Sequence, residues 1–292
     1  MSSQQEARLF GLGYRRYDGP RRRPAWAILT LAVFTLRRVL GLGRGGRHKV
    51  LPALTLVIAY APALVSVGFA ALLEDLPVDD LITYGEYMFF IGSALALFAA
   101  LVAPEALCPD RRSGMLGLYL AGPLDRDRYL AAKGAAVLAA MLAITLGPLL
   151  FMLAAFVVAG YGPSAGETPG LLLRILAVGG TAALGYAAVS LAVASFTTRR
   201  AAAAVGVVLV LFVPVIAARS AVESAGAPAE LDLLSFPFLV SELSYRIFDE
   251  FHSEGQPIEE LSTWVVAAGL AAWTAAGALA CWLRYRRIEA HR

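Results

Sequence analysis

The stretch CPDRRSGMLGLYLAGPLDRDRYLAAKG, Cys108 to Gly134, decides how this chain is arranged. Its two ends are rich in Asp, Arg and Lys, and its centre, residues 115–121, is apolar. Long apolar runs with almost no charge precede and follow it. A charged segment between two such runs is typical of a loop that joins membrane-spanning helices.

The composition of the whole chain agrees with a membrane protein. Hydrophobic residues make up 59% of the 292 residues and charged residues 16%, whereas a soluble domain has roughly 25% charged residues. Six segments are long and apolar enough to span a bilayer. They cover approximately residues 50–73, 86–104, 130–160, 171–196, 200–218 and 262–283. We therefore expect an all-α integral membrane protein, with residues 50–292 forming one six-helix transmembrane domain.

The positive charges predict the orientation. With six spans, 22 of the 25 Lys and Arg residues fall on one side of the membrane, and this side is the cytosolic one by the positive-inside rule. Both termini are then cytosolic. Residues 219–260 carry nine acidic residues and two arginines, and we predict an extracytoplasmic loop there. A model with five or seven spans would break this separation of charge.

Residues 1–49 are predicted to form a basic cytosolic tail followed by an interfacial elbow helix over residues 24–43. An apolar stripe with three- and four-residue spacing runs along this helix and comprises Trp26, Leu29, Val33, Leu36 and Leu40. Such a pattern favours a helix lying in the membrane interface. The alternative is a seventh span, which the adjacent Arg37 and Arg38 disfavour.

A second helix is predicted within the outer loop, over residues 235–251. Its apolar stripe comprises Phe238, Leu239, Leu243, Ile247 and Phe251. Because this segment follows the acidic outer region and precedes the last span, we expect it to cap the bundle from outside.

The sequence lacks the groups that drive transport or catalysis. No ionisable residue is predicted deep within a span: Glu86 and Glu105 bracket the second span, and Lys133 and Arg174 are placed to extend towards the interface. No GxxxxGK[ST] loop is present, so we expect no ATP hydrolysis, no cofactor and no catalytic residue in this chain. His252 lies among acidic residues of the outer loop, where a solvated loop is favoured over a metal site.

The two cysteines are not predicted to form a disulfide. Cys108 and Cys281 both fall near the predicted cytosolic side, and a disulfide framework needs more cysteines in an oxidising compartment. We expect two free thiols.

Within the opening stretch, the pattern predicts a short capped helix. Asp110 is placed to cap a helix that begins at Arg111, and Gly122-Pro123 is placed to end it. Met115, Leu118 and Tyr119 share one face of this helix, residues 110–121. Asp125 is placed to cap the following helix, which runs into the third span. A short helix joined stiffly to two spans would act as a lever on both.

These residues resemble the first cytosolic loop of ABC-2 type permeases, the membrane subunits of one class of ABC exporter. The sequence of this stretch is similar to that of actinobacterial members of the family. The matching features are the charged turn Asp110-Arg111-Arg112-Ser113-Gly114, the apolar helix from Met115 to Ala121, Pro123, the charges from Asp125 to Arg128, and Lys133. The family often has Thr where this chain has Met115. The basic tail, the elbow helix and the six spans agree with the resemblance.

The resemblance implies a coupling helix over residues 110–121 that docks into a separate cytosolic ABC ATPase, which would bind ATP and Mg. The docking residues implied are Asp110, Arg111, Arg112, Ser113, Gly114, Met115, Leu118, Tyr119 and Pro123, with Arg199 and Arg200 as a secondary contact. The alternative is a basic inside-loop that only obeys the charge rule. For Arg199 and Arg200, topological anchoring is equally open.

The resulting prediction is a dimeric, multi-pass permease of the bacterial plasma membrane. Its partners would be the ATPase, a second permease chain and membrane lipid, with no nucleic acid. The alternatives are a non-transporting scaffold that recruits a cytosolic partner, and a membrane-embedded enzyme. The sequence does not identify the transported substrate, because residues that pack a helical bundle are of the same types as residues that line a path through it.

Overall fold

The computed structural model describes residues 24–42, 45–72, 82–122, 124–160, 162–250 and 257–288. Within these ranges the chain forms nine α-helices and no β-strand. They are α1 (Pro24–Val39), α2 (Arg47–Leu72), α3 (Tyr84–Arg112), α4 (Met115–Leu120), α5 (Arg126–Ala159), α6 (Thr168–Ser195), α7 (Arg200–Ala225), α8 (Phe236–Phe248) and α9 (Thr263–Arg287). Short 3₁₀ turns at Ala229–Leu234 and Pro257–Glu260 flank α8.

Six of these helices are long and apolar enough to cross a membrane, which confirms the predicted number of spans within the described residues. They are α2, α3, α5, α6, α7 and α9. In α3 and α6, 67% of the most apolar window is buried inside the bundle, against 22–28% in α2, α7 and α9. The bundle is therefore organised around α3 and α6, and α2, α7 and α9 have more of their surface exposed.

Helix α1 packs on α5 and α3, and only the C-terminal part of the apolar stripe, Leu36 and Leu40, is partly buried against the core. Leu31, Thr35 and Val39 are buried against the bundle, while Trp26 and Leu29 of that stripe are more than half exposed. A helix at a membrane interface is apolar on its lipid-facing side as well, so apolar periodicity alone does not identify the side that packs. With 16 residues, α1 is shorter than the roughly 20 residues that a span needs.

Small residues bring the central helices close together. A Cβ built on Gly277 of α9 would lie 2.8 Å from the carbonyl carbon of Ala188 in α6, so the two backbones are in direct contact. Gly185 of α6 lies against the ring of Phe236, whereas Gly180 faces open space. The seam between α6 and α9 thus depends on glycine, as close helix packing in membranes often does.

The outer helix does not cap the bundle from outside as predicted; α8 is inserted into it. At its start, the ring of Phe236 is 4.9 Å from that of Tyr186, beyond the midpoint of α6. There, Ser235 Oγ donates a hydrogen bond to the carbonyl oxygen of Pro214, near the middle of α7, at 3.1 Å. Beyond the other end of α8, Arg174 pairs with Asp249 at 2.8 Å.

Helix α8 therefore runs from the centre of the bundle to the end opposite the cytosolic side predicted from the sequence. Its 13 residues span about 20 Å. The stripe residues Phe238, Leu239 and Leu243 are buried as predicted, Ile247 is half-buried, and Phe251 lies outside the described residues. Nearly all sides of α8 are covered because α3, α6, α7 and α9 all pack against it. Such enclosure is the condition for a chain to turn back inside a membrane.

Candidate functional site

The predicted lever lies at the end of the bundle where the α3–α5, α6–α7 and C-terminal segments meet; we call this the basic end. Helix α3 does not stop near residue 104 as predicted but continues through Pro104 and Pro109 to Arg112. The chain then reverses at Gly114, whose φ of 72° is left-handed and favours glycine. The short helix that follows is α4, Met115–Leu120, instead of residues 110–121.

Asp110 is consequently not a helix cap, and this prediction is wrong. It lies inside the last turn of α3, and its side chain is 3% exposed. Its Oδ2 is 2.6 Å from Lys133 Nζ and accepts a hydrogen bond from the Tyr129 hydroxyl at 3.1 Å. Its Oδ1 is 2.8 Å from Arg38 Nη1. A buried carboxylate is stable only with such partners.

A second carboxylate extends this network. Arg38 Nε donates to Glu105 Oε1 at 3.1 Å, and Arg200 pairs with the other oxygen of Glu105. Burial lowers the pKa of the Arg38 guanidinium, but hydrogen bonds and charges from Asp110 and Glu105 outweigh burial and raise that pKa above its ordinary value. Arg38 therefore stays charged.

Together, five residues form what we call the charge cluster: Arg38, Glu105, Asp110, Lys133 and Arg200. It ties α1, α3, α5 and α7 together at the basic end. The prediction that Lys133 extends to the interface is wrong, since this residue is 1% exposed. The cluster does not contradict the expectation that no ionisable residue lies deep within a span, because its residues lie at the ends of α3, α5 and α7, outside their apolar centres.

Helix α4 sits on this network and divides its side chains between bundle and solvent. Leu116 is buried, and the ring of Tyr119 lies 5.8 Å from that of Tyr129. Met115 is 38% exposed and Leu118 67% exposed. Of the face predicted from Met115, Leu118 and Tyr119, the first two are therefore presented outward and the tyrosine anchors the helix.

The next cap is formed as the sequence predicts. Asp125 Oδ1 accepts a hydrogen bond from the Arg128 backbone N–H at 2.8 Å, and α5 begins at Arg126. Gly122 follows the end of α4, while Pro123 lies outside the described residues. The chain from α3 through α4 to α5 is thus held by short connections on both sides.

The charged turn before α4 also has some side chains that contact the bundle and others that are exposed. Arg111 Nη1 donates to the carbonyl oxygens of Ser195 and Thr197, so it closes the C-terminal end of α6. Arg112, Ser113 and Gly114 are exposed. In the α6–α7 turn, Arg199 is exposed, whereas Arg200 reaches Glu105.

The two cysteines and the charged residues of the outer loop lie outside the charge cluster. Cys108 and Cys281 are free, as predicted, and both are buried. In the outer loop, Asp249 pairs with Arg174, and Glu250 accepts from Thr83 Oγ1. His252 lies outside the described residues.

Family comparison matches nearly the whole chain. The family model described as "ABC-2 family transporter protein" covers residues 21–289. The chain belongs to the ABC-2 family of transporter proteins. It is therefore the membrane subunit, or permease, of an ABC transporter, and the family implies an ABC ATPase as partner. None of the curated proteins searched matches the chain.

The resemblance read from residues 108–134 thus identified the correct family, but the charge cluster of this permease was missed. Asp110 and Lys133 are 23 positions apart in the sequence, and Arg38 and Glu105 are 67 apart. No local spacing indicates such pairs. The available signal was the presence of acidic residues at the end of one span and a lysine at the start of the next.

Proposed function

We propose that this permease is driven by a separate cytosolic ATPase that docks on α4, and that it exports its substrate. The observation that carries the proposal is the exposure of Leu118 and Met115 on a short helix whose other side is anchored by Leu116 and Tyr119. Exposed aliphatic side chains outside the predicted spans are suitable anchors for a partner groove.

The connections of α4 explain how docking would move the bundle. Residues 113–114 join it to α3, and residues 121–125 join it to α5. The charge cluster holds the ends of these two helices together, so a displacement of α4 would be transmitted to both. Because α3 is among the two most buried spans, its movement would rearrange the centre of the bundle.

The remaining assignments follow from the family and the charges. The basic end would face the cytosol, with both termini there, in a bacterial plasma membrane. ATP and Mg would be bound by the partner, and this chain would catalyse no reaction. Two permease chains would line one path. Exposed residues available for docking are Arg112, Ser113, Gly114, Met115 and Leu118, since Asp110 and Arg111 direct their contacts inward.

The test is co-purification of the ATPase with Leu118→Asp. We expect the affinity of the permease for the ATPase to fall by at least about 30-fold, because loss of an anchor residue costs about 2 kcal/mol or more of binding free energy. Leu72→Asp is the matched control: Leu72 is also a strongly exposed leucine, 80% exposed, but at the opposite end of the bundle. Both variants should insert and elute as wild type.

Two outcomes would reject the proposal. If Leu118→Asp binds the ATPase as tightly as wild type, α4 is part of an inside-loop and not a docking helix. If the ATPase binds but its turnover is the same with and without the permease, the chain acts as a scaffold.

A further inference from the structure

A wide groove opens at the basic end between the end of α3 and the start of α7. Its volume is about 1100 Å³. Arg38, Arg112, Arg199 and Arg200 line it, together with the hydroxyl residues Ser113 and Thr198. The end of α1, through Arg38, closes the third side.

The groove carries an excess of positive charge. Arg38 and Arg200 are paired with carboxylates of the charge cluster, which holds three cations and two carboxylates. Arg112 and Arg199 are exposed and have no carboxylate partner among the described residues. Two guanidinium groups are therefore available to an anion, and their planar donor sets suit the oxygens of a phosphate.

The start of α7 adds backbone donors to the same groove. Arg199 is the N-cap in an extended conformation, its side chain makes no capping hydrogen bond, and no acidic residue occupies the first turn. Ala201, in that first turn, lines the groove. Unsatisfied N–H groups and the helix dipole at a helix N-terminus favour an anion.

We propose that this groove binds the phosphate of an anionic phospholipid headgroup. The choice of lipid over free phosphate rests on the surface that continues from the groove. Residues 201, 205, 209 and 213 follow one face of α7, and Val205, Leu209 and Val213 on it are all at least half exposed. An acyl chain can lie along this apolar face while the headgroup occupies the arginine-lined end, where basic pockets between spans bind lipid headgroups.

This proposal does not depend on the ATPase or on the direction of transport. Arg112 and Ser113 also belong to the proposed docking surface, but the lipid experiment uses the permease alone and leaves Leu118 unchanged. A failure of the docking test on Leu118 therefore leaves the lipid site intact, and the reverse also holds.

The experiment measures lipid retention by the purified full-length permease in detergent, using native mass spectrometry during titration with dioleoyl-phosphatidylglycerol. We expect the double variant Arg112→Gln/Arg199→Gln to bind about 30-fold more weakly than wild type, since each arginine near a membrane surface contributes about 1 kcal/mol to anionic lipid binding. Arg286→Gln/Arg287→Gln removes two exposed arginines at the same end, outside the groove, and should bind as wild type.

Additional measurements distinguish an anionic lipid from a neutral lipid and from a soluble phosphate. Dioleoyl-phosphatidylcholine should be retained equally by all three proteins, and added salt should weaken phosphatidylglycerol retention by wild type. Inorganic phosphate and glycerol 1-phosphate at equal concentration should not displace the lipid; displacement by either would assign the groove to a soluble phosphate. If the Arg112→Gln/Arg199→Gln protein retains phosphatidylglycerol as wild type does, or retention ignores salt, the groove is not a phosphate site.

Discussion

The Nζ of Lys133 lies 2.6 Å from Oδ2 of Asp110, and both side chains are almost completely buried between α5 and α3. The segment between them contains α4, so this pair closes the base of the loop that carries the proposed docking helix. Its burial makes it a test of how firmly that loop is held.

Lys133→Met should destabilise the permease by about 1–3 kcal/mol, because it removes one of the polar partners of a buried carboxylate. Arg38 and Tyr129 would remain as partners of Asp110. The measurement is the unfolding midpoint in detergent. Lys49→Met removes an exposed lysine and should change stability by no more than about 0.5 kcal/mol.

Removing the carboxylate as well should recover part of this loss. In Lys133→Met/Asp110→Asn the buried carboxylate that has lost its lysine is absent, so the double variant should be more stable than Lys133→Met alone. A double variant that loses the sum of both single losses would show that the two residues act independently.

Gly277→Ala should destabilise the seam between α6 and α9 by about 1–3 kcal/mol, because the new methyl group would contact the backbone at Ala188 and force the helices apart. Gly180→Ala, where no atom lies within 4 Å of the added Cβ, should be neutral or slightly stabilising. Thermal unfolding of both variants checks this. Equal effects at the two positions would contradict the close approach.

Cysteine labelling should report both orientation and the insertion of α8. In a background without Cys108 and Cys281, Ser224→Cys should react with an impermeant maleimide from outside the cell, since Ser224 is exposed. Ser241→Cys should not, because Ser241 is buried within α8. Labelling of Ser224→Cys only after the membrane is opened would reverse the proposed orientation.

The purified permease alone should not bind ATP at micromolar concentration, because its sequence has no loop that cradles phosphates in the Walker manner. Equilibrium binding of labelled nucleotide measures this. Saturable binding by the partner-free chain would show that a nucleotide site exists here.

The sequence by itself determined the number of spans, the approximate place of each, and the family. Runs of apolar residues longer than 18 positions have few other stable arrangements, so hydropathy predicted the six long helices. Asp125 was assigned its cap correctly because a capping bond joins residues three positions apart. These features depend on neighbours along the chain.

The tertiary structure alone decided the position of Asp110 and of α8. From the sequence alone, a charged residue near the end of a span is expected to face solvent. An amphipathic helix in an outer loop is likewise expected to lie on the surface of the bundle. The protein instead buries Asp110 with Lys133 and Arg38, and inserts Phe236 beside Tyr186. Both arrangements depend on partners contributed by distant helices, because a buried charge or a chain reversal inside a bundle is stable only when those partners are already in place.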